Sequence, residues 1–232
     1  MIEAKKVVKR FGLKVILKGV DFRVEQGEFV ALMGPNGAGK TTFLRILATL
    51  SRANMGEIRI AGFHLPQHAA QVRTILGVVS HQPLLYGDLT AEENLEFYAR
   101  MYNLQNVSAR VDEVLTLVGL QARRRDLLRE FSRGMQQRLA IGRAILHNPS
   151  VLLFDEPHTG LDQEAAEMLD NLLREVAAQG RTVVMTSHDL LRTPDLASRV
   201  DILSKGIIRA SLRGAELDPH KLPALYRSAV ND

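Results

Sequence analysis

The sequence predicts an α/β fold: a core with a mostly parallel sheet, an N-terminal antiparallel β subdomain and an inserted helical subdomain. Three observations predict it. The apolar runs FVALM (29–33), LGVVS (76–80), VLLF (151–154) and TVVMTS (182–187) are continuous, the pattern of strands buried on both faces. Residues 1–30 and 57–63 contain alternating stretches such as GVDFRVEQGE and GEIRIAGF, which read as antiparallel strands. Residues from about 84 to 146 read as almost entirely helical.

In chain order, the alternating N-terminal strands lead into FVALM, a glycine loop and the helix-like KTTFLRILATL. A second alternating segment and LGVVS follow. TAEENLEFYARMYNL then opens the helical region, with Thr90 as N-cap and Glu93 completing a capping box. SARVDEVLTLVGL and GMQQRLAIGRAIL continue it. VLLF returns the chain to the sheet. QEAAEMLDNLLREVAAQG carries apolar residues at helical spacing and ends on Gly180, a C-cap residue. From about residue 213 the chain holds two prolines, shows no clear period and reads as a short tail. The organisation is one domain over 1–232: a core from 1–83 and 147–212, a helical subdomain at 84–146 and a tail at 213–232.

Composition narrows the function. Without cysteine there is no disulfide framework and no zinc–thiolate site. The net charge of +4 is mild, and its densest cluster, Arg123, Arg124 and Arg125, reads as a solvated helix end, with anionic headgroups as the alternative partner. The start, MIEAKKVVKRFGLKV, has no long apolar core and does not read as a signal peptide. No stretch approaches the roughly 18 to 20 apolar residues of a membrane-spanning helix. A role in a membrane process requires docking onto another subunit.

Two motifs carry phosphate chemistry. GPNGAGKT, Gly34 to Thr41, matches G-x-x-x-x-G-K-[ST] between a predicted strand and a predicted helix. Gly34, Gly37 and Gly39, with Asn36 and Ala38 between them, let the backbone turn its N–H groups toward phosphate oxygens. Lys40 supplies a point charge, the Thr41 hydroxyl a ligand for Mg²⁺, and Thr42 reaches the α-phosphate. In VLLFDEP, Asp155 ends a strand at the edge where open α/β sheets bind ligands and suits the Mg²⁺ sphere. Glu156 faces the other way along a strand and polarises an attacking water. FSRGMQQRLAIGRA holds a second anion site, with Ser132 as N-cap and Gly134 opening a helix; an ordinary capped helix is the plainer alternative.

The ordered set of glycine loop, SHQP, FSRGMQQR, VLLFDEP, TGLD and TSHD resembles the nucleotide-binding subunit of ABC transporters over residues 2 to 210. The resemblance implies a P-loop NTPase core, ATP with Mg²⁺, and two subunits meeting head to tail. Each ATP is then held between the glycine loop of one copy and the Ser132–Gly134 helix of the other. It implies that Phe11 stacks on adenine, the alternative being a core aromatic. It further implies that Gln82 senses Mg²⁺ and γ-phosphate, that Asp162 lines the dimer seam, and that His188 bonds the γ-phosphate and positions the water. The remaining histidines, His64 and His68 at i,i+4 included, have no carboxylate or cysteine beside them in sequence and read as surface or packing residues.

This chain departs from the family pattern at Arg133 and Met135, where a Gly and a Gln are usual; Arg133 adds charge near the γ-phosphate or faces the partner. The resemblance also implies ATP hydrolysis coupled to separate integral membrane subunits, a homodimer or heterodimer of ATPase subunits, a cytoplasmic peripheral place and no nucleic-acid partner. Leu84, Leu85 and Tyr86 of QPLLYGDLT either receive a partner helix or pack inside the helical region. SHQPLLYGDLTAEENLEFYARMYNL together with FSRGMQQRLAIGRA resembles the heme exporter, or cytochrome c maturation, ATPase. A multidrug or polysaccharide exporter is the near alternative, and a soluble ABC ATPase acting on ribosomes or DNA the distant one. A kinase or GTPase lacks the second helix start and His188.

Overall fold

The computed structural model describes residues 1–80 and 82–231. The strands β1 (Ile2–Phe11), β2 (Lys14–Val24) and β3 (Phe29–Met33) precede helix α1 (Lys40–Leu47). Then come β4 (Met55–Ile60), β5 (Phe63–Leu65), α2 (Ala69–Thr74), β6 (Leu76–Val79), α3 (Ala91–Met101), α4 (Val107–Leu117) and α5 (Arg133–Ile145). The chain ends with β7 (Val151–Asp155), α6 (Gln163–Ala178), β8 (Thr182–Ser187), β9 (Arg199–Ser204), β10 (Ile207–Arg213) and α7 (Leu222–Asn231).

The order β10-β9-β3-β8-β7-β6 makes the main sheet, parallel except for β10 at one edge. The antiparallel sheet runs β2-β1-β4-β5. The continuous apolar runs have a direct explanation: the main sheet separates two cores. Phe29, Ala31 and Met33 of β3 face one core, shared with the helical region and α6. Val30 and Leu32 face the other, shared with α1 and the antiparallel sheet. The same alternation holds in β7, with Leu152 and Phe154 on the first side and Val151 and Leu153 on the second. Both faces are dry, so both must be apolar.

The expected caps form. Thr90 Oγ1 accepts from Glu93 N at 3.1 Å, and Thr90 N donates to Glu93 Oε2 at 2.8 Å. Gly180 follows α6 with φ = +80°. Two elements differ from the sequence reading. β9 carries Arg199 and Asp201 in an otherwise apolar strand, which hides it from an apolar-run search. Both side chains are buried, and Arg199 pairs with Glu28 at 2.8 Å. The segment from 213, read as a tail, carries α7; its Leu222 and Ala229 join the first core. Within the arginine cluster, Arg124 meets Glu92 at 2.5 Å and Asp112 at 2.7 Å, and Arg123 meets Asp126 at 2.8 Å. The His64 and His68 rings lie 6.5 Å apart and tilted by 55°, without stacking, and no group of three metal-ligating side chains exists among the described residues.

Candidate functional site

Three adjacent strands, β3, β8 and β7, end at one edge in matched register: Met33 lies opposite Ser187, and Asp155 opposite Thr186. Gly34, Glu156 and His188 therefore leave the sheet side by side. The parallel topology alone gathers the glycine loop, the two carboxylates and the imidazole, which are far apart in sequence.

The loop is built for close approach. Gly34 has φ = +153°, and a Cβ there would lie 2.0 Å from the Leu203 carbonyl oxygen. Gly39, with φ = +109°, precedes α1, and no side chain caps that helix. The first-turn amides and the positive end of the helix dipole are left for an anion. A cavity of about 250 Å³ opens here, lined by Lys14, Ile16, Asn36, Gly37, Ala38, Gly39, Lys40, Thr41, Thr42 and Glu156. Lys14 and Ile16 were not singled out from sequence; they reach the cavity from β2, whose spacing gives no sign of it. Lys40 is only 5% exposed, and its Nζ donates to the Gly34 carbonyl at 2.8 Å. The ammonium so lies at the cavity floor, 3.7 Å from Glu156 Oε1.

Thr41 Oγ1 donates to Asp155 Oδ1 at 3.1 Å, and Thr186 Oγ1 donates to the same oxygen at 2.7 Å. One hydroxyl and one carboxylate, both oxygen donors, are the kind of set a hard divalent cation takes when phosphates and water complete its sphere. Thr186 also accepts from Glu156 N at 2.9 Å, which ties the two carboxylate residues to β8. That threonine was missed, although its place at the strand end was the available signal.

Glu156 corrects one expectation. Strand alternation predicts that it faces away from Asp155, but β7 ends at Asp155, and Glu156 takes φ = +49°. The left-handed turn swings its carboxylate back toward Lys40 and brings Oε2 to 3.5 Å from His188 Nδ1. Thr159 Oγ1 donates to the same oxygen at 3.3 Å. A carboxylate between a lysine and an imidazole, beside an anion cavity, can orient and polarise a water.

The other expected residues lie elsewhere. Phe11 is 57% exposed at the end of β1, with Lys9 Nζ 4.8 Å above its ring, so it is not a core aromatic. It pairs in register with Lys14, which lines the cavity. Gln82 is exposed, and its backbone carbonyl accepts from Ser80 Oγ at 2.6 Å; His81 of SHQP lies outside the described residues. Ser132 caps α5, accepting from Met135 N at 3.3 Å. Asp162 caps α6, accepting from Ala165 N at 2.8 Å. Ser132, Gly134 and Asp162 are not among the residues lining the cavity. Arg133 lies against Gly160, where a Cβ would stand 2.3 Å from its Nη1, and lines a second cleft with Asp155 and Glu156. Leu84 and Tyr86 are exposed, whereas Leu85 packs on the first core.

Known proteins are similar to this chain in sequence and fold. The family model described as ABC transporter matches residues 17–159. The linearmycin resistance ATP-binding protein LnrL of Bacillus subtilis is 36% identical over 208 residues, covering 89% of this chain and 67% of that protein. The Nod factor export ATP-binding protein I of Paraburkholderia xenovorans is 36% identical over 207 residues, 88% of this chain and 68% of that protein. Among solved structures, an ATP binding subunit of an ABC transporter superposes with a TM-score of 0.87 at 29% identity, covering 99% of both chains. A dimeric post-hydrolysis state of the ATP-binding cassette MJ0796 bound to ADP and Pi gives 0.82 at 30% identity, over 92% of this chain and 98% of that one.

Proposed function

The chain belongs to the ABC transporter family as an ATP-binding, ATP-hydrolysing subunit, and from that premise we propose that it powers separate membrane subunits of an exporter as an ATP-closed dimer. The convergence of Lys40, Thr41, Asp155, Glu156 and His188 on one sheet edge carries the reading. Binding exchanges the loop carbonyls around Lys40 for the β- and γ-phosphate oxygens, with the N–H groups of Asn36 to Thr42 as cradle. Phe11 stacks on the adenine, a contact worth about 1 to 3 kcal/mol. Thr41 and Asp155, with Gln82 as sensor, hold Mg²⁺, which supplies charge neutralisation at the phosphates. Glu156 takes up a proton from the attacking water, and His188 bonds the γ-phosphate and keeps that water in line.

Ser132, Gly134 and Asp162 serve the ATP of the partner copy, which accounts for their absence from the cavity wall. Among the described residues no helix is long and apolar enough to cross a membrane, which supports a peripheral place on the cytoplasmic face. Leu84 and Tyr86, beside Phe97, form the surface toward the membrane subunits.

Glu156→Gln is expected to bind ATP, to hydrolyse it about 10² to 10⁴-fold more slowly and to accumulate dimer. A monomer at saturating Mg–ATP in light scattering overturns this role. For cargo we propose heme, in cytochrome c maturation, on residues 80–104 and 131–144; the similar proteins are named for linearmycin resistance and Nod factor export. Heme should then stimulate the ATPase of the complex with its membrane subunits in vesicles. Stimulation by an amphipathic drug or a polysaccharide instead replaces heme with that cargo. Ribosomal RNA or DNA co-purifying in place of a membrane protein replaces transport itself.

A further inference from the structure

The two residues assigned to hydrolysis stand on different loops. Glu156 opens the turn after β7 and His188 the turn after β8. A partly buried cluster outside the ATP cavity, centred on the buried Asp170, ties these turns together. His158, two residues beyond Glu156, places Nε2 2.7 Å from Asp170 Oδ1 on α6. The other oxygen, Oδ2, accepts from Arg192 Nη1 at 2.6 Å. Arg192 in turn meets Asp189, the neighbour of His188: its backbone N donates to Oδ1 at 3.0 Å, and Nε lies 3.6 Å from Oδ2. Asp170 is only 5% exposed. A carboxylate kept from water is costly unless its oxygens are bonded, and here both are used, one toward each turn.

We propose that His158, Asp170 and Arg192 are positioning residues that hold the Glu156 turn and the His188 turn at a fixed separation, so that base and imidazole act on the water as a pair. The inference rests on the ATPase reading above. Its physical basis is rigidity: Asp170 sits within the 16-residue helix α6, a stiff body against which both turns are fastened. Burial pushes His158 below the usual imidazole range in spite of the adjacent carboxylate. The ring is accordingly neutral near pH 7, with Nε2–H donating to Asp170. None of the three side chains lines the ATP cavity, so they act on the chemical step and not on nucleotide affinity.

The test is steady-state ATPase kinetics of the full chain, with folding followed by circular dichroism. Asp170→Asn keeps the shape but removes the charge opposite Arg192. Its kcat should fall about ten- to a hundredfold, the scale of a small misplacement of reacting groups, while KM for ATP stays within about twofold. His158→Gln, which retains an N–H donor, should recover most of the kcat lost in His158→Ala. The dimer of Glu156→Gln should form equally well when Asp170→Asn is added. A folded Asp170→Asn protein with wild-type kcat, or kcat and KM moving in parallel, overturns the relay. If Asp170→Asn does not fold, equal kcat in His158→Ala and wild type does the same. Wild type that does not hydrolyse Mg–ATP removes the ATPase reading itself, a result distinct from either.

Discussion

His147 shows how one residue sets a pH limit on the protein. Its ring stacks on Tyr102, centroids 4.0 Å apart and planes 12° from parallel. Burial, with the cations Arg143 and Arg110 nearby, pushes its pKa down to about 4 from 6.5. The unfolded chain then takes up a proton at higher pH than the folded one does. Stability from this site is complete above pH 6.5 and is lost as pH falls from there toward 4. The melting temperature should drop across that window, and His147→Phe, which keeps the stack, should flatten the drop. Identical slopes in the two proteins would remove His147 as the source; His158, lowered in the same direction, adds to the slope that remains. This residue was not legible in sequence, because burial decides its chemistry and HNP gives no period. Lys40, Thr41 and Asp155 were legible because motif and strand end fix them together. The direction of Glu156 was not, because a left-handed turn replaces the last strand residue.

At the scale of elements, the glycine loop gives a sharp contrast. Gly34 cannot take a Cβ without meeting the backbone of β9, at 2.0 Å from the Leu203 oxygen, whereas a Cβ on Gly37 meets nothing within 4 Å. Both have positive φ, so Ala costs each about 1 to 2 kcal/mol in backbone strain. Only Gly34→Ala must also displace a strand, and it should yield insoluble or grossly destabilised protein. Gly37→Ala should fold with a melting temperature a few degrees lower; thermal denaturation of the pair decides. The same distinction explains which elements the sequence revealed. β3 is buried on both faces and apolar throughout, and β7 and β8 carry polar side chains only at their ends (Asp155; Thr182, Thr186 and Ser187), so all three stand out as runs. β9 is equally buried but holds Arg199 against Glu28, and a paired charge defeats a hydropathy reading. α7 was missed because Pro219 and Pro223 read as breakers, whereas Pro223 sits in the first turn of the helix, where its missing N–H costs no bond.

For the whole molecule, the arrangement of caps and cavity makes a statement about stoichiometry. One protomer offers a cradle at Lys40 and, separately, an exposed α5 start at Ser132 that serves only its own helix. If each ATP is shared across a seam, a Ser132→Arg protomer keeps a working cradle and a Lys40→Ala protomer keeps a working α5 start. Pairing the two rebuilds one complete site and leaves the other doubly broken. Random pairing in an equal mixture makes half the dimers mixed, so about a quarter of the wild-type sites return. The ATPase rate of the mixture should accordingly rise to about a quarter of wild type, while each variant alone stays near zero. Loss of the Ser132 cap costs about 1 kcal/mol, so both variants are to be checked for folding by circular dichroism first. A mixture no more active than its parts, with both variants folded and wild type active, would mean that each chain hydrolyses ATP by itself. The uncapped α1 and the Ser132 turn would then belong to no common site, and Arg133 would face only its own Gly160.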